Sequence, residues 1–274
     1  MDGALSELLD IYLGVPQGSI LGPFLFLVYI NDLPDASNYI TKLFADDTCL
    51  VFSANNLKEL QTRINFEMKK VEDWMSGNKL SLNHTKTNFM LINKKGKQSA
   101  INLYINNTKI KQVNEIKYLG ITIDSTLSWK SHIKQVEKKL SRACGMISKL
   151  RYYVNAKCLR SFYYAKVYSY LQYAVLAWGG CCDKSLDKIN KIHNKIVRMM
   201  TLIGPLRGIS ISNNALYKNA NLLQLKQIHK LELAKLIHRA AYKSLPSGYN
   251  TIFLRIQSIR HVCMYMCMCI YVYI

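Results

Sequence analysis

The hydrophobic pattern of this chain changes near Trp129, and the two sides of that point predict different architectures. Before it, short β-rich runs alternate with one long amphipathic segment, which is typical of a region that mixes strands and helices. After it, apolar residues recur at helical spacing, and we predict helices over 130–150, 157–177, 184–203 and 221–244. The chain is therefore expected to be α+β, with a helical second half.

The amphipathic segment is predicted to be a helix with one buried stripe. Asn55 or Asn56 should cap its start and Gly77 should end it. Its apolar residues recur at steps of three and four: Leu57, Leu60, Ile64, Met68, Val71 and Trp74. We predict further strands over 87–92, 101–105 and 116–123, with a turn at Asn106 and Asn107.

The net charge of +20 is concentrated in the second half of the chain. Residues 1–129 hold 13 Lys and Arg against 13 Asp and Glu, whereas residues 130–274 hold 24 against 4. Such an uneven distribution of positive charge favours binding of a polyanion, and nucleic acid is the commonest polyanion for a protein to bind. Well-solvated helix faces would give the same composition.

The eight cysteines show no paired spacing of a metal site or a disulfide framework, so we interpret them as free thiols of an intracellular protein. The longest strongly apolar stretch, at 25–30, is too short to cross a bilayer. These features predict a nuclear or cytoplasmic protein with no membrane partner.

Residues 14–23, GVPQGSILGP, form a glycine-rich and proline-rich loop that should lead into a helix starting at Pro23. Glycine allows close approach of a ligand to the backbone, and Gln17 and Ser19 offer polar contacts. A generic loop explains the composition equally well.

Asp46 and Asp47 lie between two apolar runs, 41–45 and 48–53, that we predict to pair as a hairpin. Two adjacent carboxylates among apolar strands are costly unless they are solvated or bind a cation. Carboxylate oxygens favour Mg²⁺, and a magnesium site that also contacts substrate phosphates is the usual arrangement for phosphoryl transfer. The alternative is a simple polar turn.

Taken together, these segments resemble the reverse transcriptase domain of the non-LTR, LINE-type retrotransposons, in particular the jockey-like branch. GVPQGSILGP is similar to motif B and FADD, at 44–47, to the metal-binding motif C. WMSGNKLSLNHTKTNFMLI, at 74–92, is similar to motif D, and KYLGITID, at 117–124, to the primer-grip motif E. The resemblance continues more loosely through the YSYLQYAVLAWGG run to about residue 180.

The resemblance implies a partial polymerase palm, made of an antiparallel sheet with helices, followed by a basic helical thumb and a C-terminal helical region. It implies that Asp46 and Asp47 are catalytic ligands of a two-metal Mg²⁺ site, with Asp47 as the companion of Asp46. Lys86 would lie near the triphosphate and protonate the leaving pyrophosphate, and Lys79 is an alternative for that role.

The resemblance also implies contacts with an RNA template, a DNA primer and an incoming dNTP. Nucleotide and template contacts would come from Gln17, Gly18 and Ser19. The primer end would be held by Tyr118, Leu119 and Gly120, although plain strand packing is an equal alternative for the first two.

The corresponding segments are a palm with motifs B to E at 1–125, a thumb at 126–180, a basic helical segment at 181–258 and a tail at 259–274. The family's other metal-binding Asp, from motif A, and its fingers have no counterpart in the thirteen residues before Gly14, where Asp2 and Asp10 lie outside any apolar strand run. We therefore expect an N-terminally truncated domain with weak Mg²⁺ binding, poor polymerisation and an unpaired edge beside the Asp46 hairpin. A catalytically dead nucleic-acid-binding remnant and a non-functional genomic remnant are the alternatives.

The last fourteen residues, HVCMYMCMCIYVYI, resemble no ordinary core element. Each can be encoded by codons in strict purine–pyrimidine alternation, so our hypothesis is a tail translated from dinucleotide-repeat DNA. A hydrophobic strand is the structural alternative.

Overall fold

The computed structural model describes residue 15 and residues 18–92, 101–105, 108–201, 212–246 and, as backbone, 266–273. The chain forms two compact units. The first comprises Met1–Asn114 with Met264–Ile274, and the second comprises Glu115–Cys263. The hairpin that resembles the primer grip thus lies in the second unit with the helices, and the part of the tail from Met264 onward lies in the first.

The elements follow one another along the chain in an α+β arrangement. The helices are α1 Leu21–Ile30, α2 Leu57–Gly77, α3 Lys130–Leu150, α4 Ala156–Tyr163, α5 Ser169–Gln172, α6 Val175–Trp178, α7 Asp183–Thr201, α8 Asn213–Ala220 and α9 Leu225–Ala241. The strands are β1 Ile40–Phe44, β2 Asp47–Ala54, β3 Asn88–Ile92, β4 Tyr104–Ile105, β5 Thr108–Lys109, β6 Lys111–Gln112, β7 Glu115–Tyr118, β8 Ile121–Asp124 and β9 Met266–Tyr273.

The first unit is built on a five-stranded sheet in the order β1-β2-β9-β3-β6. The β1–β2 hairpin is confirmed, with Phe44 opposite Asp47. Strand β9 runs antiparallel to both β2 and β3, so that Tyr273 is opposite Asp47 and Tyr271 is opposite Asn88. Strand β9 therefore pairs along the whole of β2, whereas β1 is the end strand of this sheet and pairs only with β2 among the described residues. The expected unpaired edge of the hairpin is thus absent on the β2 side and present on the β1 side.

Helix α2 packs its apolar stripe on this sheet, as its periodicity predicts. Its start is capped by Asn56, whose side-chain oxygen accepts a hydrogen bond from the Glu59 N–H at 2.8 Å. Its last residue is Gly77. The buried core of the unit includes Leu60, Ile64, Met68, Val71 and Met75 of α2 together with Leu50, Phe52, Phe89 and Leu91 of the sheet.

Two strand predictions need correction. In the range 101–105 only Tyr104–Ile105 is a strand, and it pairs with Thr108–Lys109 across Asn106 and Asn107, which lie outside the described residues. The range 116–123 is a hairpin and not one strand, with Tyr118 opposite Ile121. Its turn residues, Leu119 and Gly120, have φ of 44° and 80°, a conformation that glycine adopts without steric cost and that reverses the chain.

The second unit is helical apart from the β7–β8 hairpin. Helix α3 has the predicted bounds, but the predicted helix 157–177 is interrupted by a π-helical turn at Tyr164–Tyr168 and by a break at Tyr173 and Ala174, where Ala174 has φ of 49°. Helix α8 was not predicted; the side chain of Ser212 caps its start. Trp178, Tyr163, Leu140, Ile147 and Ile189 are among the side chains buried at the centre of this unit.

Over the described ranges, none of the helices combines the length and the apolar character needed to cross a membrane. Of the cysteines in those ranges, Cys144, Cys158, Cys181 and Cys182 carry free thiols, as expected from their spacing.

Candidate functional site

The two predicted carboxylate ligands lie at the tip of the β1–β2 hairpin. Ala45 and Asp46 form the turn, and Asp47 is the first residue of β2. Ala45 has φ of 51°, a conformation that costs an alanine roughly 1 kcal/mol and lets the chain reverse within two residues. Asp46 is exposed and Asp47 is half-buried, so one carboxylate projects into solvent while the other is partly desolvated.

The charge of Lys86 affects the carboxylates of this hairpin tip. Partial burial raises the pKa of the Asp47 carboxyl above its ordinary value, the charge of Asp46 raises it further, and the ammonium of Lys86 opposes the rise. Lys86, and not Lys79, is among the groups that act on Asp47. The charge of Lys86 therefore acts on Asp47, although among the described residues no ion pair joins Lys86 to either carboxylate.

Lys86 is held by a tight turn in front of β3. Asn83 accepts backbone hydrogen bonds from Lys86 at 3.2 Å and from Thr87 at 3.0 Å, and its side-chain oxygen accepts from the Thr85 hydroxyl at 2.6 Å. The buried Thr87 hydroxyl donates to the same Asn83 carbonyl at 2.9 Å. Asparagine favours such turns because its side chain can bond to nearby backbone groups. The Lys86 backbone is thus fixed while its side chain is exposed.

The glycine-rich loop is described only in part, and Gln17 lies outside the described residues. Gly18 is exposed with φ of 92°, and space for a Cβ is open around it. The Ser19 hydroxyl oxygen accepts a hydrogen bond from the Gly22 N–H at 3.1 Å and so stabilises the start of α1, which begins at Leu21, two residues before the predicted Pro23. The structure gives Ser19 a local role at the start of α1.

The carboxylate pair is the candidate for binding a divalent cation. Its donor chemistry fits Mg²⁺, since two adjacent carboxylates repel each other and a cation relieves that repulsion. Within the described ranges, however, no group of three or more His, Cys, Asp or Glu side chains is gathered in a way that could hold a metal ion. Asp46 and Asp47 thus offer oxygen ligands to one side of a metal.

The turn that resembles the primer grip lies in the second unit and is braced by Tyr173. The Tyr173 hydroxyl donates to the carbonyl of Leu119, and a Cβ at Gly120 would lie 3.5 Å from the Tyr173 ring. Tyr173 is itself anchored, because its carbonyl accepts from the indole N–H of the fully buried Trp178 at 2.9 Å. A line of contacts therefore runs from the helical core to the turn.

The loop between β8 and α3 is organised around Asp124. One carboxylate oxygen accepts from the Thr126 N–H at 3.1 Å, the Thr126 hydroxyl at 2.6 Å and the Ser128 N–H at 2.9 Å, and the other accepts from the Trp129 N–H at 2.7 Å. These bonds outweigh the effect of burial and lower the pKa of Asp124. Asp124 thereby fixes where α3 starts.

Helix α3 also forms one wall of a lysine-lined groove of about 420 Å³. The opposite wall of the groove is formed by α7, and the acidic residue that lines the groove is Glu137. In the described part of the chain, the lysines of this groove form no ion pair with a carboxylate. They are Lys130, Lys134, Lys138, Lys184 and Lys188.

Sequence reasoning missed the roles of Tyr173 and Asp124, although both lie in segments that carry the family resemblance. For Asp124 a signal was present: Asp followed by Thr126 and Ser128 just before a predicted helix is typical of side-chain capping. For Tyr173 we find no comparable signal, since its partner Leu119 lies 54 positions earlier.

Comparison with known proteins assigns the first part of the chain to a family. Residues 1–123 match the family model described as "Reverse transcriptase (RNA-dependent DNA polymerase)". The chain is 27% identical over 210 residues to the probable RNA-directed DNA polymerase from transposon X-element of Drosophila melanogaster, an alignment that covers 72% of this chain and 23% of that protein. It is 26% identical over 214 residues to the RNA-directed DNA polymerase from mobile element jockey of the same species, covering 73% and 23%.

A third relative comes from another insect. The chain is 28% identical over 150 residues to the Pol polyprotein from type-1 retrotransposable element R1 2 of Nasonia vitripennis, covering 50% of this chain and 35% of that protein. The alignments with the X-element and jockey polymerases thus span about a quarter of those proteins. No solved structure matches the chain. Residues 1–123 are therefore a reverse transcriptase domain, related to those of the jockey, X-element and R1 non-LTR retrotransposons.

Proposed function

We propose that this chain is the palm and thumb segment of an RNA-directed DNA polymerase, which extends a DNA primer with dNTPs along an RNA template. The observation that carries the proposal is the Asp46–Asp47 hairpin tip with Lys86 beside it, inside the stretch that matches the reverse transcriptase family. The palm is assigned to 1–125, the thumb to 126–180 and a basic helical extension to 181–258.

At the hairpin tip, Asp46 and Asp47 would hold Mg²⁺ through their carboxylate oxygens. When bound, such ions lower the pKa of the primer 3′-hydroxyl and stabilise the charge that develops on the leaving pyrophosphate. Lys86 would contact the triphosphate and donate a proton to pyrophosphate as it leaves. Its ammonium is near enough to Asp47 to lower that group's pKa, which supports a proton donor in the same region as the metal ligands.

The remaining assignments concern contacts with the incoming nucleotide and with the primer. Gly18 has no side chain to cover the backbone of the loop before α1, which suits close approach of a nucleotide. Gln17 and Ser19 are assigned to the same nucleotide contact. Tyr118, Leu119 and Gly120 are assigned to the primer end. The Leu119 carbonyl and the Gly120 backbone are braced from the helical core through Tyr173, which supports a role that needs a rigid turn and not a mobile one.

The lysine groove supports nucleic-acid binding by the helical unit. Lys130, Lys134 and Lys138 are four residues apart and lie on one face of α3. Exposed ammonium groups without carboxylate partners release counterions when they meet a phosphate backbone, and this release favours binding. The same observation favours the second candidate function, nucleic-acid binding without polymerisation.

A primer-extension assay separates the two functions. The chain is given a DNA primer on an RNA template with dNTPs and Mg²⁺, and duplex binding is measured on the same samples. The first function predicts extension that is abolished by Asp46→Ala and retained by Asp35→Ala, which removes an exposed acid of the same unit. Binding without extension by the wild-type chain supports the second function and overturns the first.

The groove itself is tested by salt dependence. A Lys130→Gln, Lys134→Gln, Lys138→Gln triple variant should reduce the slope of log Kd against log salt by about 3, roughly one for each phosphate that is no longer neutralised. A control triple variant removes the same charge from exposed lysines outside the groove: Lys149→Gln, Lys157→Gln and Lys166→Gln. Equal slopes for the two triple variants would exclude the groove as the binding surface.

A further inference from the structure

Two tyrosines project from the turn that joins α3 to α4, at residues 151–155. Tyr153 is 87% exposed and Tyr152 is 65% exposed, although an aromatic ring stabilises a fold mainly when it is buried. Among the described residues, none forms a hydrogen bond, an ion pair or a ring contact with the Tyr153 side chain. Stability of the helical unit therefore does not explain a tyrosine at this position.

The backbone of this turn is held firmly although the rings are exposed. The Leu150 carbonyl accepts from the Tyr153 N–H at 2.9 Å and from the Val154 N–H at 3.1 Å. Leu150 and Val154 both pack against the hydrophobic core of the unit. The Asn155 side chain caps α4 by accepting from the Cys158 N–H at 2.9 Å. The turn is thus ordered before any ligand arrives, which lowers the entropic cost of binding one.

The turn lies in a strongly basic part of the chain. Residues 138–182 contain eight Lys and Arg and no Asp or Glu. The guanidinium carbon of Arg151 lies 4.6 Å from the centroid of the Tyr152 ring, and Arg151 donates to the Tyr152 hydroxyl. No carboxylate in the described ranges forms an ion pair with Arg151. A guanidinium that is held in place and lacks a carboxylate partner favours a phosphate group.

An unpaired nucleotide fits this combination of an exposed ring and a neighbouring cation. Its base offers a flat face on which an aromatic ring can stack, and its phosphate can pair with the cation. In a duplex the base faces are covered by the neighbouring base pairs, so the Tyr153 ring would find no such surface there. The lack of acidic residues over 138–182 further favours a polyanion.

We propose that residues 151–153 form a stacking platform for single-stranded nucleic acid. The Tyr153 ring stacks on an unpaired base, and Arg151, held by Tyr152, contacts an adjacent phosphate. The assignment of this strand to the unpaired part of the RNA template rests on the proposed function. The stacking itself rests on the exposure of Tyr153 and on the charge around it.

The position of the platform sets the length of strand that can reach it. Arg151 follows Lys138 of the lysine groove by thirteen residues, which is about 20 Å along the axis of α3. At about 3.4 Å per nucleotide, a strand that leaves the groove spans this distance in about six nucleotides. A template overhang of about ten nucleotides is therefore long enough to test the assignment.

Four variants define the test. Tyr153→Leu removes the aromatic face and keeps an apolar side chain, whereas Tyr153→Phe keeps the face and removes the hydroxyl. Arg151→Gln removes the charge. Tyr242→Leu is the matched control, because Tyr242 is 73% exposed directly after α9 in the same unit. Exposed tyrosines can be replaced without loss of folding, which urea denaturation of each variant checks.

The first measurement is the affinity of the full chain for a single-stranded RNA of about ten nucleotides and for a blunt RNA–DNA duplex. Tyr153→Leu should weaken single-strand binding about tenfold, as expected for the loss of one stacked base, and duplex binding less than about twofold. Tyr153→Phe and Tyr242→Leu should each weaken single-strand binding less than about twofold. Equal losses in Tyr153→Leu and Tyr242→Leu, or equal losses on single strand and duplex, would refute the platform.

Two further readouts separate the base contact from the phosphate contact. A strand of the same length that carries abasic sites should bind wild type and Tyr153→Leu equally, because it offers no base to the ring. A difference that persists on the abasic strand would overturn the stacking role. Arg151→Gln should reduce the slope of log Kd against log salt by about 0.7 on single strands, and an unchanged slope would overturn the phosphate contact.

The template assignment is tested with a primed duplex whose RNA strand extends about ten nucleotides beyond the primer. Tyr153→Leu should weaken binding of this substrate about tenfold and leave the blunt duplex unaffected. If free single strands respond and the overhang does not, the platform is supported and its template assignment is overturned. If the wild-type chain extends no primer, the proposed function fails, and the affinity for single strands alone decides on the platform.

Discussion

Replacement of Asp124 tests how the loop in front of α3 is held. In Asp124→Asn the amide oxygen can keep the three bonds from Thr126 and Ser128, but the amide NH₂ then faces the Trp129 N–H, which now lies 2.7 Å from a carboxylate oxygen. One charge-assisted bond is replaced by two opposed donors, and the other three bonds no longer have a charged acceptor. We expect a loss of about 2–3 kcal/mol in the free energy of unfolding.

The assay is urea denaturation followed by tryptophan fluorescence in a Trp74→Phe background. The two remaining tryptophans, Trp129 and Trp178, both lie in the helical unit, so the signal reports that unit. Asp183→Asn is the matched control, because Asp183 pairs with Lys226 at 2.9 Å on the surface, where such pairs contribute less than about 1 kcal/mol.

The stability that Asp124 contributes depends on pH, and the sign of this dependence follows from its pKa. The pKa of Asp124 is lowered in the folded protein, so its carboxylate contributes stability above the ordinary value of 3.8 and loses it as the pH falls below that value. The gap between wild type and Asp124→Asn should be constant from about pH 5 to 7 and shrink below about pH 4. A loss under about 0.5 kcal/mol, or a gap undiminished at about pH 3, would refute the role given to the four hydrogen bonds.

Four further substitutions have clear expected outcomes. Gly120→Ala should lower the free energy of unfolding by roughly 1–2 kcal/mol, because an alanine is strained at φ of 80°. Gly145→Ala, within α3 and with open space around the added Cβ, should raise it by about 0.5–1 kcal/mol. Urea titrations of the two variants measure both changes, and equal effects would contradict the role of the positive φ. Tyr173→Phe removes the donor to the Leu119 carbonyl and should cost about 0.5–1.5 kcal/mol and weaken binding of a primed duplex, and unchanged affinity would argue against a primer-holding turn. Ile64→Ala, at a fully buried position of α2, should lower the free energy of unfolding of the first unit by about 2–5 kcal/mol, measured by thermal or urea denaturation. A loss under about 1 kcal/mol would mean that neighbouring side chains fill the space left by the isoleucine.

The elements that could be predicted from the sequence are those whose signal is local. The buried stripe of α2 and its Asn56 cap follow from helical periodicity and from hydrogen bonds within four residues. The β1–β2 hairpin follows from two apolar runs with Asp46 and Asp47 between them. The β7–β8 hairpin was mispredicted as one strand because the turn signal of Gly120 is a single residue in an otherwise regular run of β-forming residues.

The contacts that could not be predicted join distant parts of the chain. The rings of His132 in α3 and Trp178 in α6 lie with 5.7 Å between their centroids, and the brace from Tyr173 to Leu119 spans 54 positions. The proximity of Lys86 to Asp47 requires β3 to lie in the same sheet as β2, two strands away. The motifs predict which residues belong to the candidate site, and the tertiary structure decides which of them meet.

The central position of β9 has a consequence for the order in which the molecule can fold. During synthesis from the amino terminus, β2 and β3 leave the ribosome long before Met266–Tyr273, and the strand that joins them is then still missing from the sheet. Completion of the first unit therefore requires pairing between segments that lie far apart in the sequence, and a topology of such high contact order forms slowly. A nascent chain that waits in this state presents the backbone of β2 to other nascent chains, so its yield should depend on concentration and on chaperones.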